Sequence, residues 1–260
     1  METPTLTDSV KYVIHNKALI QQHMAQHRST WQPEQSASTL HANSSLVETF
    51  IRVRPLLDKD HACGAFSLID VQEPRTLHFT QPLVRALGGR FSTKSFKASS
   101  VFGSEVDNDA VYNGMRVPHA VQECLAFKTR ELSILAYGQT GTGKTYSTTA
   151  LEDRVVQQIW TAVKQDSHHS VFIEAFEIRG NAAFDLLSDP PLAPVKVLVT
   201  GASDVQYSGL SRHEAPSLPD LLDYIGRAKD LRLTRSTVKN SASSRSHSII
   251  RLHICWKETS

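Results

Sequence analysis

The sequence predicts an α/β domain in which a central mixed β-sheet is flanked by helices. Three observations lead there. From residue 47 onward, runs of β-forming residues alternate with stretches of helical periodicity, the pattern of layered α/β folds. A glycine-rich turn joins one short apolar run to a long helical stretch at residues 138–145. The chain has 260 residues, 40% hydrophobic and 21% charged, which is ordinary globular usage and enough for one sizeable core.

Residues 1–46 read as an N-terminal extension. Asp8 or Ser9 can cap a helix carrying Val10, Val13, Ile14, Ile20 and Met24, with Lys17 interrupting the apolar stripe. The polar, aperiodic run from 28 to 45 suits a linker. The domain proper is expected over 47–260. Its first strand falls at 47–53 and must stop or reach an edge at Pro55. Two β-like pieces at 66–71 and 76–80 suggest a small meander, followed by a polar stretch to Asn108. Asp109 opens a helix through Val111, Val117, Val121 and Leu125, with Pro118 as a kink or restart. A strand is expected at 133–136, a helix at 144–163, and further strands at 171–177 and 195–200. Ser217 caps a helix at 218–231 with Leu221, Leu222, Ile225 and Ala228 at helical spacing, and 248–256 closes the chain as a strand. No internal repeat is visible.

The turn has the spacing of a phosphate-binding loop: Gly138, Gln139, Thr140, Gly141, Thr142, Gly143, Lys144, Thr145. Its three glycines allow backbone conformations closed to other residues, so successive N–H groups can point at phosphate oxygens. The following helix adds the partial positive charge of its N-terminus. Lys144 then suits the β- and γ-phosphates, and the Thr145 hydroxyl suits Mg2+, which keeps most of its water and takes few protein ligands. A second segment, TVKNSASSRSH at 237–247, is dense in hydroxyls between a helix and a strand. By its residues alone it is equally a solvated serine-rich connection. The arginines of FIRVRPLL at 50–57 are likewise, by themselves, an exposed strand end.

These segments together resemble the kinesin motor domain. AYGQTGTGKTYS at 136–147 is similar to the kinesin phosphate loop almost letter for letter, FIRVRPLL to its first strand, FEIRGNAAFDLL at 176–187 to the segment reading EIYNE and then DLL, and NSASSRSH at 240–247 to its switch I loop. Arg179 and Gly180 depart from that pattern, which bears on subfamily more than on function. The resemblance implies a P-loop NTPase-type fold binding ATP and Mg2+. It places Arg52, Arg54, Pro55 and Tyr146 about the adenine, and guanidinium and aromatic planes do stack on a flat π-system. It gives Asn240, Ser243 and Ser244 to the γ-phosphate, the metal and the attacking water, with Ser244 and Thr145 on Mg2+. Arg245 would pair with a glutamate of a second switch loop.

The likeness covers roughly residues 47–257, the first part of the family's domain. No D-x-x-G-x-E follows, so switch II and the microtubule-gripping helices are not found before Ser260. In the family's sheet the later strands insert between strands present here, and without them unpaired edges and aggregation are expected. The step from Tyr146 straight into ALEDRVVQQIW leaves little room for the surface loop that usually interrupts this helix. The implied function is microtubule-based movement coupled to ATP hydrolysis, with tubulin as partner and dimerisation through regions outside this chain. A non-catalytic nucleotide-binding fragment is the alternative.

Composition narrows the rest. A formal charge of +2 without like-charged blocks points to no nucleic-acid partner. The N-terminus lacks a secretory pattern and no run approaches the roughly 18 apolar residues of a membrane span, so cytoplasm and cytoskeleton are expected. Three scattered cysteines and the adjacent His168 and His169 give no metal geometry, leaving Mg2+ as the one metal proposed. Asp107, Asp109, Glu152 and Asp153 are given no catalytic role.

Overall fold

The computed structural model describes residues 8–31, 47–82, 91–127, 130–165, 169–199, 201, 205–238 and 246–256. The chain divides into two compact units, Met1–Val117 and Pro118–Ser260.

The first unit opens with helices α1 (Asp8–His15) and α2 (Lys17–Thr30), broken at Asn16. Strand β1 (Phe50–Arg52) and the short helix α3 (Asp58–Ala62) follow. Next come β2 (Ile69–Glu73), β3 (Thr76–Pro82), β4 (Phe91–Lys97) and β5 (Ser100–Phe102). β2, β3 and β4 form an antiparallel meander, whereas β1 and β5 pair in parallel with Phe50 opposite Ser100. The face of the meander carrying His78 and Thr80 is buried but polar, and it satisfies itself: His78 bonds Ser95 at 2.9 Å and Thr80 bonds Thr93 at 3.1 Å across the β3–β4 register.

Helix α2 packs against β3 and β4. His27 and Trp31 lie edge-on to His78, Ile20 is fully buried, and Arg28 grips Asp70 through two bonds of 2.9 Å. The stretch expected to be an extension therefore supplies a docked helix that runs on to Thr30, two residues past the expected linker start. Burial alone would raise the Asp70 carboxyl. Hydrogen bonds from Arg28 and Gln72 and the positive charge of Arg28 outweigh it and hold the carboxyl below its ordinary range.

The predicted helix near 109 becomes two. Asp107 caps α4 (Asn108–Gly114) by accepting the Ala110 amide at 2.7 Å, and α5 (Val117–Ala126) restarts beside Pro118 after Arg116 takes φ +57°. Gly114 is required where it stands, because a Cβ there would lie 2.6 Å from the Phe102 ring.

After the start of α5, the second unit contains α6 (Lys144–Gln165), β6 (His169–Arg179), β7 (Ala182–Asp185), β8 (Pro194–Val199), β9 (Val205–Ser208), β10 (His213–Ala215), α7 (Leu218–Val238) and β11 (Ser246–Trp256). β6 is the axis of an antiparallel sheet. β11 runs along all of one edge, from Ser246 opposite Arg179 to Trp256 opposite His169, while β7 and β10 share the other edge. Val171, Ile173 and Ala175 alternate inward on β6, the period-2 signature of a covered face. Helices α6 and α7 both pack on β6. α7 buries Leu221, Ile225 and Ala228 at helical spacing, while Leu222 is exposed. Ser217 does cap α7, accepting the Asp220 amide at 3.3 Å.

The class is α/β as predicted, yet its sheet is in pieces: a parallel pair, a three-stranded meander and a six-stranded antiparallel sheet. The strand expected at 133–136 is not formed. Among the described residues no strand pairs with this segment; Leu135 is 88% and Tyr137 98% exposed. A strand is stable only through its ladder, so the apolar run alone does not make one.

Candidate functional site

The phosphate-type loop enters from residues 131–137 and leaves directly into α6. Gly138, Gly141 and Gly143 take φ of +153°, +83° and +93°, conformations that L side chains rarely adopt. A Cβ on Gly138 would sit 2.7 Å from Thr142 Oγ1, which is committed to the Gln139 carbonyl at 2.8 Å. A Cβ on Gly141 would instead meet nothing and project into open space beside the loop. Lys144 folds back over this turn, its Nζ donating to the carbonyls of Gly138 and Gln139, both at 2.7 Å.

The result is a ring of main chain with an ammonium fixed to it, opening at a helix N-terminus whose first-turn amides have no intrahelical acceptors. The donor set is cationic and amide-rich, with exposed Thr140, Thr145 and Tyr146 around it. That set fits a polyphosphate: it presents positive charge and N–H groups where glycines leave room for oxygen. The Thr145 hydroxyl, in the first turn of α6, is of the type that takes a phosphate-bound Mg2+.

The predicted base-binding residues lie in the first unit, and the structure gives the arginines local partners. Arg52 donates to Asn108 Oδ1 at 2.7 Å and to the Val106 carbonyl at 3.2 Å. Arg54 donates to Asp60 at 2.7 Å, and Pro55 follows it. The Leu57 amide, ahead of Arg54, holds the Asp60 carboxyl below its ordinary range. Both guanidiniums are thus oriented by fixed acceptors. Asp60 could have been suspected from its place at the start of α3, but the Arg52–Asn108 contact spans 56 residues and leaves no local trace in the sequence. Asn240, Ser243, Ser244 and Arg245 lie outside the described residues, between α7, which ends at Val238, and β11, which begins at Ser246.

A family profile for the kinesin motor domain matches residues 52–260. The chain belongs to the kinesin motor-domain family. Among kinesin relatives, the kinesin-like protein KIN-13A of Oryza sativa subsp. japonica is 29% identical over 226 residues, covering 85% of this chain and 27% of that protein. Kinesin-like protein KIFC2 of Mus musculus is 31% identical over 167 residues, covering 60% of this chain and 20% of its own length. A solved structure of a fast kinesin superposes with a TM-score of 0.67 at 23% identity, over 80% of this chain and 59% of that one; at such identity the likeness speaks for the fold. The chain therefore spans less than a third of the length of these two curated kinesins.

Two further features belong beside this kinesin-type loop. Glu152 of α6 and Lys229 of α7 form an ion pair that sequence spacing could not reveal, being 77 residues apart. Among the described residues, no group of His, Cys, Asp and Glu has the makings of a metal site, no helix is long and apolar enough to cross a membrane, and all three cysteines are free.

Proposed function

We propose that this chain is the nucleotide-binding part of a kinesin motor, binding ATP with Mg2+ and coupling its hydrolysis to interaction with microtubules. The observation that carries the proposal is the glycine-turned loop with the Lys144 ammonium fixed over it at the head of α6. Amides of Gly138 to Gly143 cradle the phosphates, and Lys144 exchanges its bonds to loop carbonyls for the β- and γ-oxygens. Thr145 and Ser244 hold Mg2+, which neutralises charge on the transferring phosphoryl group when bound. Arg52, Arg54, Pro55 and Tyr146 enclose the adenine. Asn240 and Ser243 feel the terminal phosphate, and Arg245 awaits a carboxylate from a second switch loop. The motor domain begins near residue 47, and residues 1–46 precede it as an extension. Tubulin is the partner, cytoplasm and cytoskeleton the location, and dimerisation lies with regions outside this chain.

Fluorescent-nucleotide titration tests the binding step. Lys144→Ala removes a charge-assisted contact to two phosphates and is expected to weaken ATP binding by about two orders of magnitude. Unchanged affinity would refute the phosphate assignment. Phosphate release with and without microtubules then separates a motor from a second reading, a nucleotide-binding fragment without turnover. That second reading draws on the unladdered approach to the loop at 131–137.

A further inference from the structure

α6 is one uninterrupted helix of 22 residues. Its first residue is Lys144, and Glu152 lies two turns further on, about 12 Å along the axis. On α7, Lys229 lies nine residues before the helix ends at Val238, about 14 Å along the axis. The two helices meet at this pair at similar distances from the phosphate loop and from the entrance to the segment proposed to sense the terminal phosphate. Glu152 follows the buried Leu151, and Lys229 follows the buried Ala228, so each charge stands at the margin of an apolar stripe. The side chains are 22% and 36% exposed.

The energetics distinguish this contact from an ordinary brace. Desolvation raises the Glu152 carboxyl above its ordinary value, and the hydrogen bond and charge of Lys229 do not offset it; neighbouring Asp153 pushes the same way. Asp70 with Arg28 shows the opposite balance, its carboxyl held low. A pair whose desolvation exceeds its attraction contributes little stability, and fixing the register of two elements is the best-attested role of such contacts. Apolar stripes such as Leu221, Ile225 and Ala228 tolerate small slides along their neighbour. A single directional N–H···O contact does not.

We propose that Glu152 and Lys229 are positioning residues that fix α7 against α6 and thereby let the chain distinguish nucleotide with a terminal phosphate from nucleotide without one. The inference rests on the nucleotide-binding reading. Its test compares MgATP and MgADP dissociation constants, with thermal melting, for the wild type, Lys229→Met, Lys229→Arg and the double variant E152M/K229M.

Lys229→Met and the double variant are expected to reduce the ATP/ADP affinity ratio by about fivefold or more, the lower range of intersite coupling, with ADP affinity changed less than about twofold. Lys229→Arg restores the ratio, and the double variant melts at or above the wild type because apolar replacement removes the desolvation cost. An unchanged ratio in the folded double variant overturns the inference while leaving nucleotide binding intact. A double variant melting well below the wild type overturns it too, since the pair would then be a stabilising brace. A wild type that binds neither nucleotide removes both the inference and the function beneath it.

Discussion

Replacing Asp185 should cost more stability than any exposed substitution in the chain, and the structure says roughly how much. Its side chain is fully buried at the end of β7 and accepts three main-chain amides: Leu187 at 2.7 Å, Ser188 at 3.1 Å and Ser211 at 2.6 Å. The third comes from 26 residues away and ties the approach to β10 onto the turn after β7. In Asp185→Ala all three N–H groups lose their acceptor, each at about 1–3 kcal/mol, with water entering the space recovering part. A net loss of about 4 kcal/mol is expected, which at about 2–4 °C per kcal/mol lowers the melting temperature by roughly 8–16 °C. Asp185→Asn keeps one oxygen for Leu187 and Ser188 but turns an NH2 toward the Ser211 amide, so it should fall about halfway. Thermal unfolding followed by circular dichroism reads both. An Asp185→Ala chain melting within about 2 °C of the wild type would refute the view that this carboxylate organises the turn.

Two more expectations concern the loop and the first unit. Gly138→Ala places a methyl against Thr142 Oγ1 at a φ of +153°, so Thr142 must release the Gln139 carbonyl; nucleotide affinity should drop about tenfold with little change in melting temperature, and equal affinity would count against the loop geometry. The Arg28–Asp70 pair contributes only above the ordinary carboxylate value of 3.8, because the folded carboxyl titrates lower, and its contribution is lost as pH falls through that depressed value. Arg28 is exposed, so Arg28→Met should cost less than about 1 kcal/mol at pH 6. Urea midpoints of the two proteins should converge near pH 3, and an equal gap at both pH values would show that the carboxylate is not the partner.

How much was legible in the sequence depended on whether a signal was local. The α7 stripe, the Ser217 cap, the start of α6 at Lys144 and the long strands β6 and β11 all follow from periodicity or capping within a few residues. Strands β4, β5, β7, β9 and β10 escaped because short strands owe their existence to partners rather than to composition. β4 lies in a stretch that looked merely polar: FSTKSFK carries serine, threonine and lysine, and it is a strand because β3 runs alongside it. The segment 133–136 failed the other way, apolar and β-like but without a ladder. At the candidate site, glycine spacing announced the phosphate cradle. The acceptors that aim Arg52 and the tie between α6 and α7 join residues distant in sequence, and no motif encodes them.

The phosphate loop is moored on one side only. Downstream it is continuous with a 22-residue helix; upstream, residues 131–137 hang from no sheet. Clasping an anion then means immobilising that approach as well, at an entropic cost of about 1–2 kcal/mol for each residue ordered. A neighbouring strand that zipped onto 131–137 would settle that cost in advance, and by reciprocity a bound nucleotide would recruit the strand as strongly as the strand favours the nucleotide. Sheet completion and ligand affinity are in this chain one equilibrium seen from two ends.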